Sequence, residues 1–180
     1  MILLLATIFI ATIPTEAEGA IYEDTVRLHI LANSDTKEDQ NLKLMVRDAV
    51  LMQYGKSLSV FESVEEAQDE LNLKLDEIKE FADGKIKEFG YEYKTCVSLT
   101  KEWYETREYD GFSLPCGYYN SLRIIIGDGA GQNWWCVMFP PMCLDAATST
   151  ASYTKEEEFL ITKKYRIKFK ILELISEISK

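Results

Sequence analysis

Apolar positions recur along this chain with two periods, and the switches between them mark its elements. From Thr25 to Ala32 (TVRLHILA) they alternate, with Val26, Leu28 and Ile30 on one face and Arg27, His29 and Leu31 on the other. That is the period of a strand with one clearly apolar side. The spacing then changes to three and four. Leu42, Met45, Val46, Ala49 and Val50 share one face of a helix predicted over about 36–54. Asn33-Ser34-Asp35 stop the strand, Asp35 with Glu38 forms a capping box, and Gly55 is placed to end the helix. Ser63 with Glu66 opens the clearest helix, predicted over 64–89. Its stripe is Val64, Ala67, Leu71, Leu75, Ile78, Ala82, Ile86 and Phe89. Gly84 costs it ~1 kcal/mol relative to alanine, so a break is expected near there. Gly90 is its natural stop.

Alternation returns at Tyr91–Leu99 (YEYKTCVSL), and 103–109 and 112–114 are further extended candidates. Ser121 to Ile126 (SLRIII) is rich in β-branched residues, and Trp134 to Phe139 is apolar on both faces, as a central strand covered on both sides would be. The glycine-rich GDGAGQN between them predicts a hairpin. Pro140-Pro141 ends the second strand, because proline donates nothing to a ladder. A polar linker, DAATSTASYT, leads to a last helix from about Lys155 to the C-terminus, with Leu160, Ile167, Ile171, Leu174 and Ile178 on its apolar face. The pattern predicts a single α+β domain. Its mixed, mostly antiparallel sheet has strands near 25–32, 91–99, 121–127 and 134–139, two long helices cover one face, and the C-terminal helix lies alongside.

The first thirteen residues, MILLLATIFIATI, add a segment outside that domain. They are short for a membrane span of ~20 residues but fit the apolar core of a signal peptide. Ala17-Glu18-Gly19 supplies small residues for cleavage before Ala20, although no Lys or Arg precedes the apolar run. Residues 1–19 are therefore read as a signal peptide or N-terminal anchor, and 20–180 as the folded domain. Contact with a membrane is expected only through that leader or through a partner.

The formal net charge of −10 disfavours nucleic acid and anionic membrane surfaces. It is uneven, with ten acids against four bases over 62–90 and seven bases against five acids over 155–180. The four cysteines suit an oxidising compartment and allow three pairings. The preferred one joins Cys136 to Cys143 across the Pro-Pro turn and leaves Cys96 with Cys116. Zinc is disfavoured, since there is no C-x-x-C pair and the single histidine, His29, is distant in sequence. His29 is a candidate general base, but more often such a residue is a satisfied polar side chain. GDGAGQN lacks the Lys-Ser/Thr of a phosphate loop and precedes a strand, and no G-x-S-x-G or H-E-x-x-H occurs. No cofactor and no catalytic set are expected. Trp103, Tyr104, Tyr109, Phe112, Tyr118, Tyr119, Trp134 and Trp135 crowd into one stretch, which suits either a binding surface or cross-strand packing.

Five segments, in this order, resemble stage II sporulation protein R of endospore-forming bacteria. They are RLHILANSD, DQNLKLMVRDAV, REYDGFSLPCGYY, LRIIIGDGAGQNWWCVMFPPMC and RIKFKILEL. The resemblance implies a protein exported from the forespore into the space between the two compartments. There it would activate a mother-cell membrane aspartic protease that processes the precursor of sporulation sigma factor E. It implies a signal and not an enzyme, and it carries no catalytic residues to transfer. Arg107, Tyr109, Trp134 and Trp135 are the expected partner contacts. The competing expectations are a cell-wall binding or remodelling factor and a secreted hydrolase. Strand order and oligomeric state lie beyond the sequence.

Overall fold

Strand β1 (Val26–Leu31), the first in the chain, lies inside the sheet. In the computed structural model, which describes residues 21–58, 60–108 and 113–140, the elements after β1 are helices α1 (Lys37–Val50), α2 (Val64–Leu73) and α3 (Leu75–Glu88), then strands β2 (Thr95–Tyr104), β3 (Arg107–Glu108), β4 (Ser113–Leu114), β5 (Gly117–Ile126) and β6 (Asn133–Phe139). The leader, Tyr109, Phe112, Cys143 and the C-terminal helix predicted from Lys155 lie outside the described residues.

Four strands form a mixed sheet in the order β2-β5-β1-β6. β1 runs parallel to β5 and antiparallel to β6. The Gly127 N–H donates to the Lys94 carbonyl at 2.9 Å, which sets the end of β5 against the start of β2, the antiparallel sense. The class is thus α+β with a mostly antiparallel sheet, as the periodicities predict. The predicted hairpin is not formed. β5 and β6 are separated by β1, and GDGAGQN passes over the end of that strand instead of closing a turn between neighbours. β6 is accordingly an edge strand of the described sheet and not a central one. Its apolar character comes from its second half, where Cys136 to Phe139 are buried.

By its contacts the described chain divides into two units, one of residues 24–101 and 120–140, the other of 21–23, 102–108 and 113–119. β2 and β5 run unbroken through that division, so both belong to one domain. In the larger unit Val26, Leu28 and Ile30 of β1, Leu122, Ile124 and Ile126 of β5, and Cys136 and Met138 of β6 supply one face of the sheet. Leu42, Val46 and Val50 of α1, Ala67 and Leu71 of α2, and Ile78, Ala82 and Ile86 of α3 complete that core. These are the stripes that the spacing of three and four picks out, except that Met45, predicted on the apolar face of α1, is 41% exposed.

The helix ends differ from the prediction in detail. Thr36, not Asp35, caps α1, accepting from the Asp39 N–H at 3.3 Å. Gly55 does not end the helix. Leu51–Gly55 form a π turn and the chain continues as a last helical turn, Lys56–Leu58. The Tyr54 hydroxyl in that turn donates to Glu77 Oε1 at 3.2 Å, and burial together with the Glu77 charge pushes its pKa up to about 12. Ser63 does cap α2, accepting from the Glu66 N–H at 3.3 Å. The break between α2 and α3 falls at Lys74 (φ −104°, ψ 8°), not at Gly84, and nothing in the residue types there explains it. Gly84 sits in the middle of α3 with open space where a Cβ would project. Gly84→Ala is therefore expected to raise stability by ~1 kcal/mol through helix propensity alone, read as a higher urea midpoint. A neutral or negative change would show that the position is under a constraint other than propensity.

α3 is fastened to β2 by Asp83. Its Oδ1 accepts from the Thr95 N–H at 2.7 Å and the Thr95 hydroxyl at 2.9 Å, and its Oδ2 pairs with Lys79 at 2.9 Å. Burial works to raise this carboxyl, but Lys79 and Thr95 outweigh it and hold it below the ordinary aspartate value.

In the smaller unit β3 pairs antiparallel with β4, Arg107 opposite Leu114. Its core is aromatic. Tyr104 and Tyr119 are fully buried and meet edge to face at 5.7 Å, and Tyr22 meets Tyr119 in the same way at 5.2 Å. Trp103 packs edge to face on Tyr118, which is 57% exposed. The crowd of aromatics is thus divided between core and surface rather than belonging to one of them.

Candidate functional site

Two constellations use the most distinctive residues of the sequence, and both gather around the C-terminal end of β1. The first is a polar clasp. After Leu31 the segment Ala32–Thr36 turns into α1, and GDGAGQN lies across it. The backbone N–H groups of Ala130 and Gly131 donate to the carbonyls of Asn33 and Ala32 at 3.1 and 3.0 Å. Asn33 Oδ1 accepts from the Asp128 N–H at 3.0 Å, and Asp35 Oδ1 accepts from the Gln132 N–H at 2.8 Å. The buried Lys43 ammonium donates to the Gln132 carbonyl at 2.9 Å and to Gln40 Oε1 at 2.6 Å. Burial pulls the Lys43 pKa down, and the Asp35 charge partly opposes this. Gln40 Nε2 in turn donates to the Ser34 carbonyl at 2.9 Å.

Asp39 is the hub of this clasp. It is buried, and its Oδ2 accepts from the Ser34 hydroxyl at 2.6 Å and from Asn33 Nδ2 at 2.9 Å. Its place in the first turn of α1 also suits the helix dipole. Glycine is required where the loop passes closest. Gly127 has φ +56° and faces Asn33, and a Cβ on Gly131 would run into the Ser34 backbone carbonyl.

The second constellation is the tryptophan pair of β6. Register places Trp134 opposite Ile30 and Trp135 opposite His29, so the two rings lie on opposite faces of the edge strand. Trp134 packs partly against the core and carries the Arg47 guanidinium 4.7 Å above its ring. Trp135 stacks on His29 with centroids 4.2 Å apart and planes 17° from parallel. A hydrogen bond of 3.0 Å joins His29 Nε2 and Asn133 Oδ1. Both tryptophans are half-buried. Of the other two expected contacts, Arg107 is exposed on β3 in the smaller unit, and Tyr109 lies outside the described residues. The sequence reading missed Arg47 and the Trp135–His29 stack. The only signal for the stack is that residues of equal parity can share a face once the strand register is known.

Chemically, these groups brace the loop and the strand edge. His29 is satisfied and buried, as its strand position suggests. Cys136 pairs with Leu28 in register and belongs to the helix-facing core, the face opposite His29, so the two form no nucleophile–base pair. Cys96 is an exposed free thiol at the start of β2 and Cys116 is buried. The expected Cys96–Cys116 bond is not formed, because the alternation of β2 turns Cys96 to solvent. Among the described residues no three His, Cys, Asp or Glu are placed to hold a metal ion. An open cavity of about 430 Å³ beside the end of α3 is lined by Asp83, Lys87, Tyr91, Glu92, Tyr93 and Lys94, but both Asp83 oxygens are already engaged. No helix among the described residues is long and apolar enough to cross a membrane.

Comparison with known proteins gives a family match. A family model described as stage II sporulation protein R matches residues 22–149, which include β1, the clasp and the tryptophan strand. A curated relative, the stage II sporulation protein R of Bacillus subtilis (strain 168), is 39% identical over 139 residues, covering 77% of this chain and 61% of the relative. The match thus spans about three fifths of that relative's length. No solved structure matches.

Proposed function

Since the chain belongs to the stage II sporulation protein R family, we propose that it is an exported forespore signal which activates a membrane aspartic protease of the mother cell and so leads to processing of the precursor of sporulation sigma factor E. The observation that carries this reading is the family match over residues 22–149. The site is consistent with it. The sequence motifs are spent on a braced loop and on two half-buried tryptophans at a strand edge, the residue type enriched in protein-recognition hot spots. On this reading the protein performs no chemistry of its own and acts by binding, and the space between the two membranes is where it works. In that compartment Cys136 is expected to be joined to Cys143, a bond that non-reducing peptide mapping would detect as one linked peptide that separates on reduction.

The test is reconstitution. Residues 20–180 are exported in a non-sporulating host that also makes the protease and the precursor. Cleavage that requires the exported chain supports the proposal, and no cleavage by folded, exported chain rejects it. In the same assay, Trp134→Ala and Trp135→Ala are each expected to reduce cleavage about tenfold or more, the scale of a lost hot spot. Their melting temperatures must be measured alongside. If both variants fold and activate like the parent, the tryptophan strand is not the contact.

A further inference from the structure

We infer that the cavity beside the end of α3 is a receptor for a peptide C-terminus, with the carboxylate held by Lys87 and Lys94 and an apolar side chain set against Tyr91 and Tyr93. The site requires no part of the signalling role.

The cavity holds about 430 Å³, within the range of small-ligand sites. Asp83 and Lys87 of α3 form one wall, and the chain from Gly90 to Lys94, which leads into β2, forms the other. All these residues belong to the larger unit. Backbone direction is the first reason for a peptide. The Lys94 carbonyl accepts from the Gly127 N–H, toward β5, whereas the Thr95 N–H donates to Asp83 on the opposite side. Backbone groups alternate in direction along an extended chain, so the N–H and C=O of Tyr93 face the Asp83 side, where the cavity lies. Neither makes a hydrogen bond among the described residues. One donor and one acceptor from a single residue are what the penultimate residue of a peptide needs for a two-bond antiparallel pair. Asp83 closes the strand edge at Thr95, so the cavity takes the end of a peptide and not a strand running through.

Charge is the second reason. Lys85 pairs with Glu88 at 2.8 Å, and Lys79 and Lys94 share Asp83 Oδ2 at 2.9 and 3.5 Å. The Lys87 ammonium has no ion pair among the described residues, and Lys94, 78% exposed, is the more distant partner of Asp83 and can turn to a second carboxylate. A helix C-terminus ordinarily repels an anion. Here the carbonyls of Lys85, Ile86 and Lys87 already accept from the N–H groups of Phe89, Tyr91 and Gly90. Glu92, the opposite charge in the lining, disfavours a carboxylate at its own lip and leaves the α3 side for it. The third reason is the aromatic wall. The rings of Tyr91 and Tyr93 stack with centroids 6.0 Å apart and planes 26° from parallel. Their hydroxyls are committed to α1, to the Glu38 carbonyl and the Asp39 carboxylate, so the wall is fixed in place before any ligand arrives.

The experiment is an NMR titration of the full chain with the peptide acetyl-Ala-Ala-Val as its free acid and as its C-terminal amide, and with acetate and N-acetylglucosamine as controls. The free acid is expected to give saturable shifts at about millimolar concentration, centred on Lys87, Tyr91, Tyr93 and Lys94. The amide should bind about tenfold or more weakly, the scale of a lost charge-assisted contact. Lys87→Gln should lose the same factor at an unchanged melting temperature, and Lys87→Arg should bind like the parent. No saturable shift up to about 10 mM, equal binding of acid and amide, or shifts centred elsewhere would overturn the inference. So would acetate matching the peptide, which would reduce the cavity to a small-anion site, or N-acetylglucosamine outcompeting it, which would make the wall a saccharide platform.

Discussion

Replacing Asp39 by alanine is expected to lower stability by about 3 kcal/mol, because it strands buried donors rather than merely deleting a contact. The Ser34 hydroxyl and Asn33 Nδ2 both give their hydrogen bonds to this carboxylate. Asn33 in turn holds the Asp128 and Ala130 N–H groups, so the loss propagates into the loop that leads to the tryptophan strand. Urea unfolding of parent and variant checks the magnitude. The effect also depends on pH. Burial acts to raise the Asp39 pKa, but hydrogen bonds from Ser34, Asn33, Tyr93 and Thr36 outweigh it and hold the carboxyl below the ordinary aspartate value. A group depressed in this way binds its proton more readily in the unfolded chain. Its contribution is therefore complete above the unfolded value of about 3.9 and is lost as pH falls from there through the folded value. The stability gap between parent and Asp39→Asn should narrow as the buffer is taken below about pH 4. A gap that stays constant down to acid unfolding would mean that the charge contributes nothing and only the shape of the side chain matters.

Gly131→Ala should cost nearly as much, about 2–3 kcal/mol, by a different route. A Cβ there meets the Ser34 carbonyl, which belongs to backbone and cannot swing aside, and also comes within 3.0 Å of Ala32 Cβ. Relief requires the loop to lift, which breaks the bonds from Gly131 and Ala130 to the end of β1. Because Trp134 and Trp135 follow within four residues, the variant is also expected to lose the Trp135–His29 stack. The change should appear in near-ultraviolet circular dichroism together with the lower midpoint. A Gly131→Ala protein with parental stability and an unchanged aromatic signal would show that the loop has more room than the packing of Ser34 and Ala32 allows.

The parts of this fold that were legible in the sequence are those set by local period. The apolar face of β1 and the stripes of α1, α2 and α3 follow directly from spacing, because a side chain's face is fixed by its position in the repeat. The strand order was not legible. A glycine-rich link between two apolar strands signals a turn, and that signal is the same whether the strands are neighbours or have a third between them. Only β1, about a hundred residues earlier, decides the matter, as the pairing of Ile30 with both Ile124 and Trp134 shows. The same limit hid Asp39. Its charge could be read as suiting a helix start, but its hydrogen bonds depend on how the preceding turn folds. Arg47 was hidden for a related reason, since the ring it covers lies 87 residues away along the chain (134 − 47).

That arrangement bears on how the molecule is made. Every ladder that β1 forms is with a partner emerging about a hundred residues later, from Val26 with Asn120 to Ile30 with Trp134. A chain that leaves a ribosome or threads a translocation channel N-terminus first can build its helices early but has nothing for β1 to pair with until β5 and β6 arrive. The long-range closure that makes such a sheet slow to form also keeps it from forming too soon. The polypeptide stays loose until its last strands arrive and only then commits to its final shape.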